Sequence, residues 1–194
     1  MVRLPTGKMS SRSGNILTGE WLLDEVKKLL KERYPEMLDD VLEKVTVGSV
    51  KYALLKSSIG HDTEFNFEES LNMEGNSGPY LQYTFARTQS VLAKSDKRKA
   101  ISEKAVKQIQ PAELSLLRTL YSFQEVVMEA GTNFAPNLLC NYLFDLAQKF
   151  NLFYQKHKIL ESENQDFRIS LTKKVGEIIK TGLNLLGISA PEKM

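Results

Sequence analysis

Apolar residues recur along most of this chain at intervals of three and four, the signature of helices that each bury one face. Leu22, Leu23, Val26, Leu29 and Leu30 fall at that spacing, while Glu25, Lys27, Lys28 and Lys31 fall on the opposite face. A first helix is therefore predicted after Thr18, whose hydroxyl can cap it. Tyr34-Pro35 interrupts the pattern, a second helix is predicted from Leu38 to Val45, and an apolar stretch follows from Val47 to Leu55. Two segments break the period. Val2-Arg3-Leu4 alternates and meets Pro5-Thr6-Gly7, a strand end entering a loop, and the mixed charged and aromatic run from Gly60 to Phe67 reads as a turn with a short extended piece. Gly75-Asn76-Ser77-Gly78-Pro79 is a strong turn signal, with Pro79 suited to the first position of a helix that continues through Tyr80, Leu81, Phe85, Val91 and Leu92. From Pro111 onward the pattern is helical throughout. Leu116, Leu120, Phe123 and Val127 form one stripe, widened by Leu114 and Leu117. After Gly131 and Pro136 comes a longer helix that buries Leu139, Tyr142, Leu143, Leu146, Phe150 and Phe153. Glu161 to Asp166 reads as a polar connection, and Leu171, Val175, Ile178, Ile179, Leu183 and Leu186 mark a last helix ended by Gly187. The predicted fold class is mostly α: an antiparallel helical bundle preceded by a short strand, a loop and further helices.

Composition narrows this picture only a little. A chain of 194 residues makes one large domain or two small ones. The formal charge of +2 does not by itself point to nucleic acid. A local block does more: Lys94, Lys97, Arg98, Lys99, Lys104 and Lys107 stand against only Asp96 and Glu103, which makes either a solvated surface or a phosphate contact. No apolar run approaches the roughly 18 residues of a membrane span, and no secretory segment opens the chain, so no membrane partner is expected. The single cysteine, Cys140, stands among leucines and a tyrosine and is read as a buried small hydrophobe, which fits a reducing cytoplasm. His61 and Asp62 lack an accompanying nucleophile and read as a surface loop, and His157 is flanked by Lys156 and Lys158. No histidine or cysteine spacing suggests a metal site.

The chemistry worth pursuing lies in two places. Lys8-Met9-Ser10-Ser11-Arg12-Ser13-Gly14-Asn15 is short and polar, and it can cradle a polyphosphate: Lys8 supplies a point charge, Arg12 a planar fork of donors and Gly14 close backbone approach. It is not a P-loop, since no G-x-x-x-x-G-K-[ST] spacing occurs in the chain. Further on, Tyr80 and Tyr83 share a helical face with Arg87 close to the next turn. That is either a core-facing aromatic pair or a platform for a base or ribose.

Four blocks, in order, resemble arginyl-tRNA synthetases. Lys8 to Asn15 is similar to the KMSKS loop of class I aminoacyl-tRNA synthetases in its arginyl form. Gly75-Asn76-Ser77-Gly78-Pro79-Tyr80-Leu81-Gln82-Tyr83-Thr84-Phe85-Ala86-Arg87 resembles the family's G-N-T-G-P-Y-x-Q-Y-x-x-A-R. The third block is Tyr142-Leu143-Phe144-Asp145-Leu146-Ala147 with Phe150-Asn151 and Phe153-Tyr154. The last is Gly182-Leu183 and Leu186-Gly187-Ile188 with the ending Ala190-Pro191-Glu192-Lys193-Met194.

The resemblance implies a division into residues 1–74, the end of a catalytic domain with its loop and linking helices, and residues 75–194, a DALR-type anticodon-binding bundle. It implies ATP-dependent attachment of arginine to its tRNA by a full-length enzyme that uses arginine and ATP with magnesium, none of it bound by this chain alone. Lys8, Ser10 and Arg12 would then offset developing phosphate charge, within an ATP-phosphate loop that includes Met9 and Ser11. The loop departs from KMSKS: Ser11 replaces the second lysine and Arg12 the final serine, displacing the positive charge by one position. Arginine tRNA is the implied partner, not DNA, and Tyr80, Tyr83, Arg87, Tyr154, Arg168 and Met194 are the candidate contacts. Tyr154 is equally suited to core packing, and Arg168 to an ion pair with Glu161 or Glu163. The HIGH sequence and its nucleotide-binding sheet have no counterpart in the chain. Met1 is therefore expected to be internal to a longer, monomeric, cytoplasmic protein, and the chain by itself to be catalytically inactive and prone to self-association. Two other readings compete: a free-standing tRNA-binding module with a vestigial loop, and an interaction protein whose apolar helices serve a partner.

Overall fold

The computed structural model describes residues 2–3, 18–95 and 108–194. The predicted phosphate loop from Lys8 to Asn15, and the basic block beyond Lys94, lie outside the described residues. In chain order the elements are β1 (Val2–Arg3), α1 (Gly19–Arg33), α2 (Asp39–Leu55), β2 (Thr63–Glu64), α3 (Phe67–Ser70), α4 (Gly78–Lys94), α5 (Pro111–Tyr121), α6 (Phe123–Thr132), α7 (Pro136–Lys156) and α8 (Gln165–Leu185). The fold is mostly α, as the periodicity predicts. The two short strands pair in parallel, Val2 with Thr63 and Arg3 with Glu64.

Local chemistry sets the helix boundaries. Thr18 Oγ1 accepts from the Trp21 N–H at 3.1 Å to open α1. Ser77 Oγ accepts from the Tyr80 N–H at 3.2 Å to open α4, with Pro79 in its first turn. α8 closes on Gly187, which takes φ +69°, while the Ile188 N–H reaches back to the Leu183 carbonyl at 2.8 Å. That is a Schellman ending with glycine in the left-handed position.

Three boundaries differ from the sequence expectation. α2 runs unbroken from Asp39 to Leu55, so the apolar stretch after Val45 is helical. It is apolar on two sides because α1 packs against one and α4 against the other, which blurs an amphipathic period. The stripe from Leu116 to Val127 is divided at Ser122 between α5 and α6. Ser122 Oγ donates to the Thr119 carbonyl at 3.0 Å there, and beyond it Phe123 packs on Tyr142 with ring centroids 5.6 Å apart. α8 begins at Gln165, inside the predicted polar connection.

Adjacent helices pack mainly antiparallel. Lys27–Glu43 and Lys31–Asp39 ion pairs run in opposite order along α1 and α2. Along α2 and α4, Lys44 meets Gln82 while Tyr52 meets Asn76. On α8, Lys180 lies over the Phe85 ring and Gly176 sits against Thr88, so α8 opposes α4. Two apolar clusters result. The smaller gathers Val26, Leu30, Val41, Leu42, Val45, Val50, Ala53, Phe65 and Leu71. The larger runs from Tyr52 through α4, α5, α7 and α8 to Ile188. α2 contributes to both, and its contact with α4 is backbone to backbone: a Cβ on Gly78 would stand 2.4 Å from the Gly48 carbonyl oxygen. No helix among the described residues is long and apolar enough to cross a membrane.

Candidate nucleic-acid interface

Tyr83, Arg87 and Tyr154 come together on one face although 67 residues separate the last two. α4 presents Tyr83 and Arg87 one turn apart, and α7 brings Tyr154 alongside. The guanidinium carbon of Arg87 lies 4.8 Å from the centroid of the Tyr83 ring and 5.0 Å from that of Tyr154. This is a cation held between two aromatic faces. Tyr154 is 41% exposed and Tyr83 half-buried, so both rings remain within reach of a ligand.

Asn151 holds the arginine in place. Its amide oxygen accepts from Arg87 Nη1 at 2.5 Å, while its amide nitrogen donates to the Tyr80 hydroxyl at 2.9 Å and to Thr84 Oγ1 at 3.0 Å. Buried Asn151 thereby sets the direction of a partly buried cation through hydrogen bonds of its own. Sequence reasoning assigned it no role. The signals available were its place in the third family-like block and its polarity on the otherwise apolar face formed by Leu143, Leu146, Phe150 and Phe153.

Two predicted contacts lie elsewhere. Tyr80 is only 8% exposed, its ring edge-on to Phe144 at 5.6 Å and its hydroxyl engaged with Asn151. It is the core-facing member of the tyrosine pair and supports the site from beneath; its ring is not offered as a platform. Arg168 pairs with Glu113 on another helix. Its Nε donates to Glu113 Oε1 at 2.7 Å and its Nη1 to the Lys158 carbonyl at 2.7 Å, with 12% of the side chain exposed. The helical pattern could not reveal this, because Glu113 lies 55 residues away on α5.

On either side of the Tyr83–Arg87–Tyr154 strip the surface is concave. One groove, about 300 Å³, is lined by Tyr34, Met37, Leu38, Val41, Met73, Tyr83 and the terminal Met194, and is almost wholly apolar. The other hollow, about 430 Å³, is lined by Tyr154, Lys94, Lys156, His157 and Lys158 among others, three lysines with no carboxylate. His157 is stacked on Phe153, ring centroids 5.4 Å apart, which ties this loop to the core. A third hollow, with Lys94 and Lys193 on its walls, borders both. An apolar slot, an aromatic–cation strip and a lysine-lined hollow thus follow one another across the surface. Flat apolar walls suit a base, and lysines suit its phosphates. Among the described residues no group of three or more His, Cys, Asp or Glu side chains is placed to hold a metal ion. Burial pushes the Cys140 thiol up to about 12, away from reactive thiolate character.

Comparison with known proteins agrees with this geometry. The arginine–tRNA ligase of Flavobacterium psychrophilum is 40% identical over 209 residues, covering 100% of this chain and 34% of the relative. That of Ignicoccus hospitalis is 38% identical, covering 100% of this chain and 32% of the relative. The solved Thermus thermophilus arginyl-tRNA synthetase superimposes with a TM-score of 0.87 at 30% identity, over 100% of this chain and 34% of that one. The chain thus spans about a third of the length of the relatives it matches. Residues 81–194 match the model of the DALR anticodon binding domain, and with the Tyr83–Arg87–Tyr154 strip carried on helices within them, the chain belongs to that family.

Proposed function

We propose that this chain reads the anticodon loop of arginine tRNA as part of an arginine–tRNA ligase. The observation that carries the reading is the Tyr83–Arg87–Tyr154 strip between an apolar groove and a lysine-lined hollow. Unstacked loop bases are gripped by aromatic faces and guanidinium planes, and each such stack is worth about 1–3 kcal/mol. Lys94, Lys156, Lys158 and Lys193 supply phosphate contacts that position the loop without reading it. The relatives bear the name arginine–tRNA ligase over this whole sequence, which favours arginine tRNA over other structured RNAs. In the full-length enzyme, Lys8, Ser10 and Arg12 serve the ATP phosphates, with arginine and magnesium as the remaining small-molecule partners. The boundary between the two parts of the chain falls near residues 74–75, with Tyr34, Met37, Leu38, Val41 and Met73 from before it lining the groove. The isolated chain makes no arginyl-adenylate, and robust ATP–pyrophosphate exchange by it would refute that statement.

The test is a titration with arginine tRNA at two salt concentrations, set against the same tRNA carrying a replaced anticodon. Preference for the native anticodon together with a phosphate-type salt slope is the expected result. Tyr154→Ala should remove about 1–3 kcal/mol of binding and most of the preference while leaving the salt slope unchanged. Equal weak binding to both RNAs would leave charge as the only interaction and overturn the base-reading function.

A further inference from the structure

Gln82 and Tyr83 are consecutive residues of α4, so their side chains leave the helix about 100° apart. Tyr83 faces the apolar groove, whereas Gln82 turns away from it and is fully buried between α2 and the segment that follows α8. Its amide nitrogen donates to two carbonyl oxygens, that of Lys44 at 2.9 Å and that of Ser189 at 2.7 Å. Two acceptors face this one group, so only an NH₂ satisfies both; an oxygen in its place would confront two carbonyls. Gly48 makes the room, since a Cβ there would stand 2.7 Å from the amide nitrogen. One turn further along α2, Lys51 Nζ donates to the Gly187 carbonyl at 2.6 Å.

The segment after α8 has no ladder or helix to supply donors to its carbonyls, so such side chains determine its path. Between the two held carbonyls Ile188 is 1% exposed, and Pro191 just beyond is buried. Three residues later Met194 enters the wall of the groove that Tyr83 also lines. We propose that Gln82 is a positioning residue, whose buried amide fixes the path of residues 187–191 so that Met194 completes the base-reading groove beside Tyr83. The RNA consequence rests on the base-reading function above; the structural consequence does not.

Two measurements on the full 194-residue chain separate them. With methyl-¹³C methionine, Gln82→Glu keeps the size of the side chain and turns its donor into an acceptor. The Met194 methyl, assigned from Met194→Leu, should move to the position and narrow line of an unstructured methionine, while the methyls of Met37 and Met73 stay dispersed. Lys51→Leu, at an exposed position, should move it part of the way. An unmoved Met194 methyl in folded Gln82→Glu overturns the proposal; if that variant does not fold, an unmoved methyl in Lys51→Leu does so. In the tRNA titration, Gln82→Glu and Met194→Ala should each lower the preference for the native anticodon about tenfold, the scale of one lost wall against a base. The double variant should lose no more than either single one, with the salt slope unchanged. Additive losses would mean that Gln82 acts by another route and would overturn the positioning role. A wild-type chain with no preference overturns the base-reading function and leaves the methyl spectrum to decide the clamp alone.

Discussion

Glu113 has no exposed surface, yet every demand of its charge is met. One carboxylate oxygen accepts from the Gln110 N–H at 2.7 Å, completing the first turn of α5, and the other holds the Arg168 guanidinium at 2.7 Å. Removing one partner of such a pair strands the other in a poorly solvated site. Glu113→Ala should cost about 3–5 kcal/mol, read as a lowered urea midpoint; a loss below about 1 kcal/mol would mean that the pair is effectively solvated. Phe134 presents the opposite case. It sits at φ +52° in the turn after α6, 80% exposed, where the Ala135 N–H closes a Schellman ending on the Ala130 carbonyl. Gly187 ends α8 in the same way with the residue that this conformation favours. Phe134→Gly should therefore raise stability by about 1 kcal/mol, and a lowered melting temperature would show that the ring makes a contact worth more than the strain. Cys140 and the buried face of α7 were legible from the sequence because their partners are local in the helical period. Glu113, Asn151 and Gln82 were not. Each makes hydrogen bonds with groups 38 to 107 residues away, and no periodicity carries that information.

At the scale of elements, the pairing of α2 with α4 governs how the site is presented. Of the glycines that read as a turn signal, Gly75 precedes the helix and Gly78 is its first residue, and the reason for Gly78 is tertiary. Its missing side chain lets α4 start against the backbone of α2 at Gly48. Gly78→Ala would put a methyl carbon 2.4 Å from a carbonyl oxygen and 2.7 Å from its carbon, atoms that cannot rotate away. The expected cost is about 3 kcal/mol, seen in thermal unfolding, and an unchanged melting temperature would show that the helices separate freely. α2 itself was foreseen only as far as Val45, because a helix buried on two sides loses the amphipathic contrast that marks it. The division of the α5–α6 stripe was missed for a different reason: Ser122 breaks the axis without breaking the apolar spacing.

For the whole molecule, three buried hydrogen-bearing groups set the alkaline limit. Burial raises the Cys140 thiol from 9.0 to about 12 and raises the Tyr52 and Tyr142 hydroxyls as well. Unfolding returns each to water. Above about pH 9 the unfolded chain releases the thiol proton while the folded chain retains it, so the unfolded state binds fewer protons and stability falls as pH rises. The stabilisation is complete below pH 9.0 and is lost progressively up to about 12. Urea midpoints at about pH 8 and about pH 10.5 should differ in that direction, and a midpoint that holds or rises would contradict the burial of these groups.

α2 gives Val50 and Ala53 to the smaller apolar cluster and Tyr52 to the larger, whose hydroxyl meets Asn76 and the Cys140 carbonyl. The chain near residue 75 is thus no line of cleavage. Cut there, the bundle would lose the ring that plugs its own centre, and the severed piece would lose the helix against which its partner is registered. Whatever alters the footing of α2 at one end is felt at the other as a change in the seat of α4.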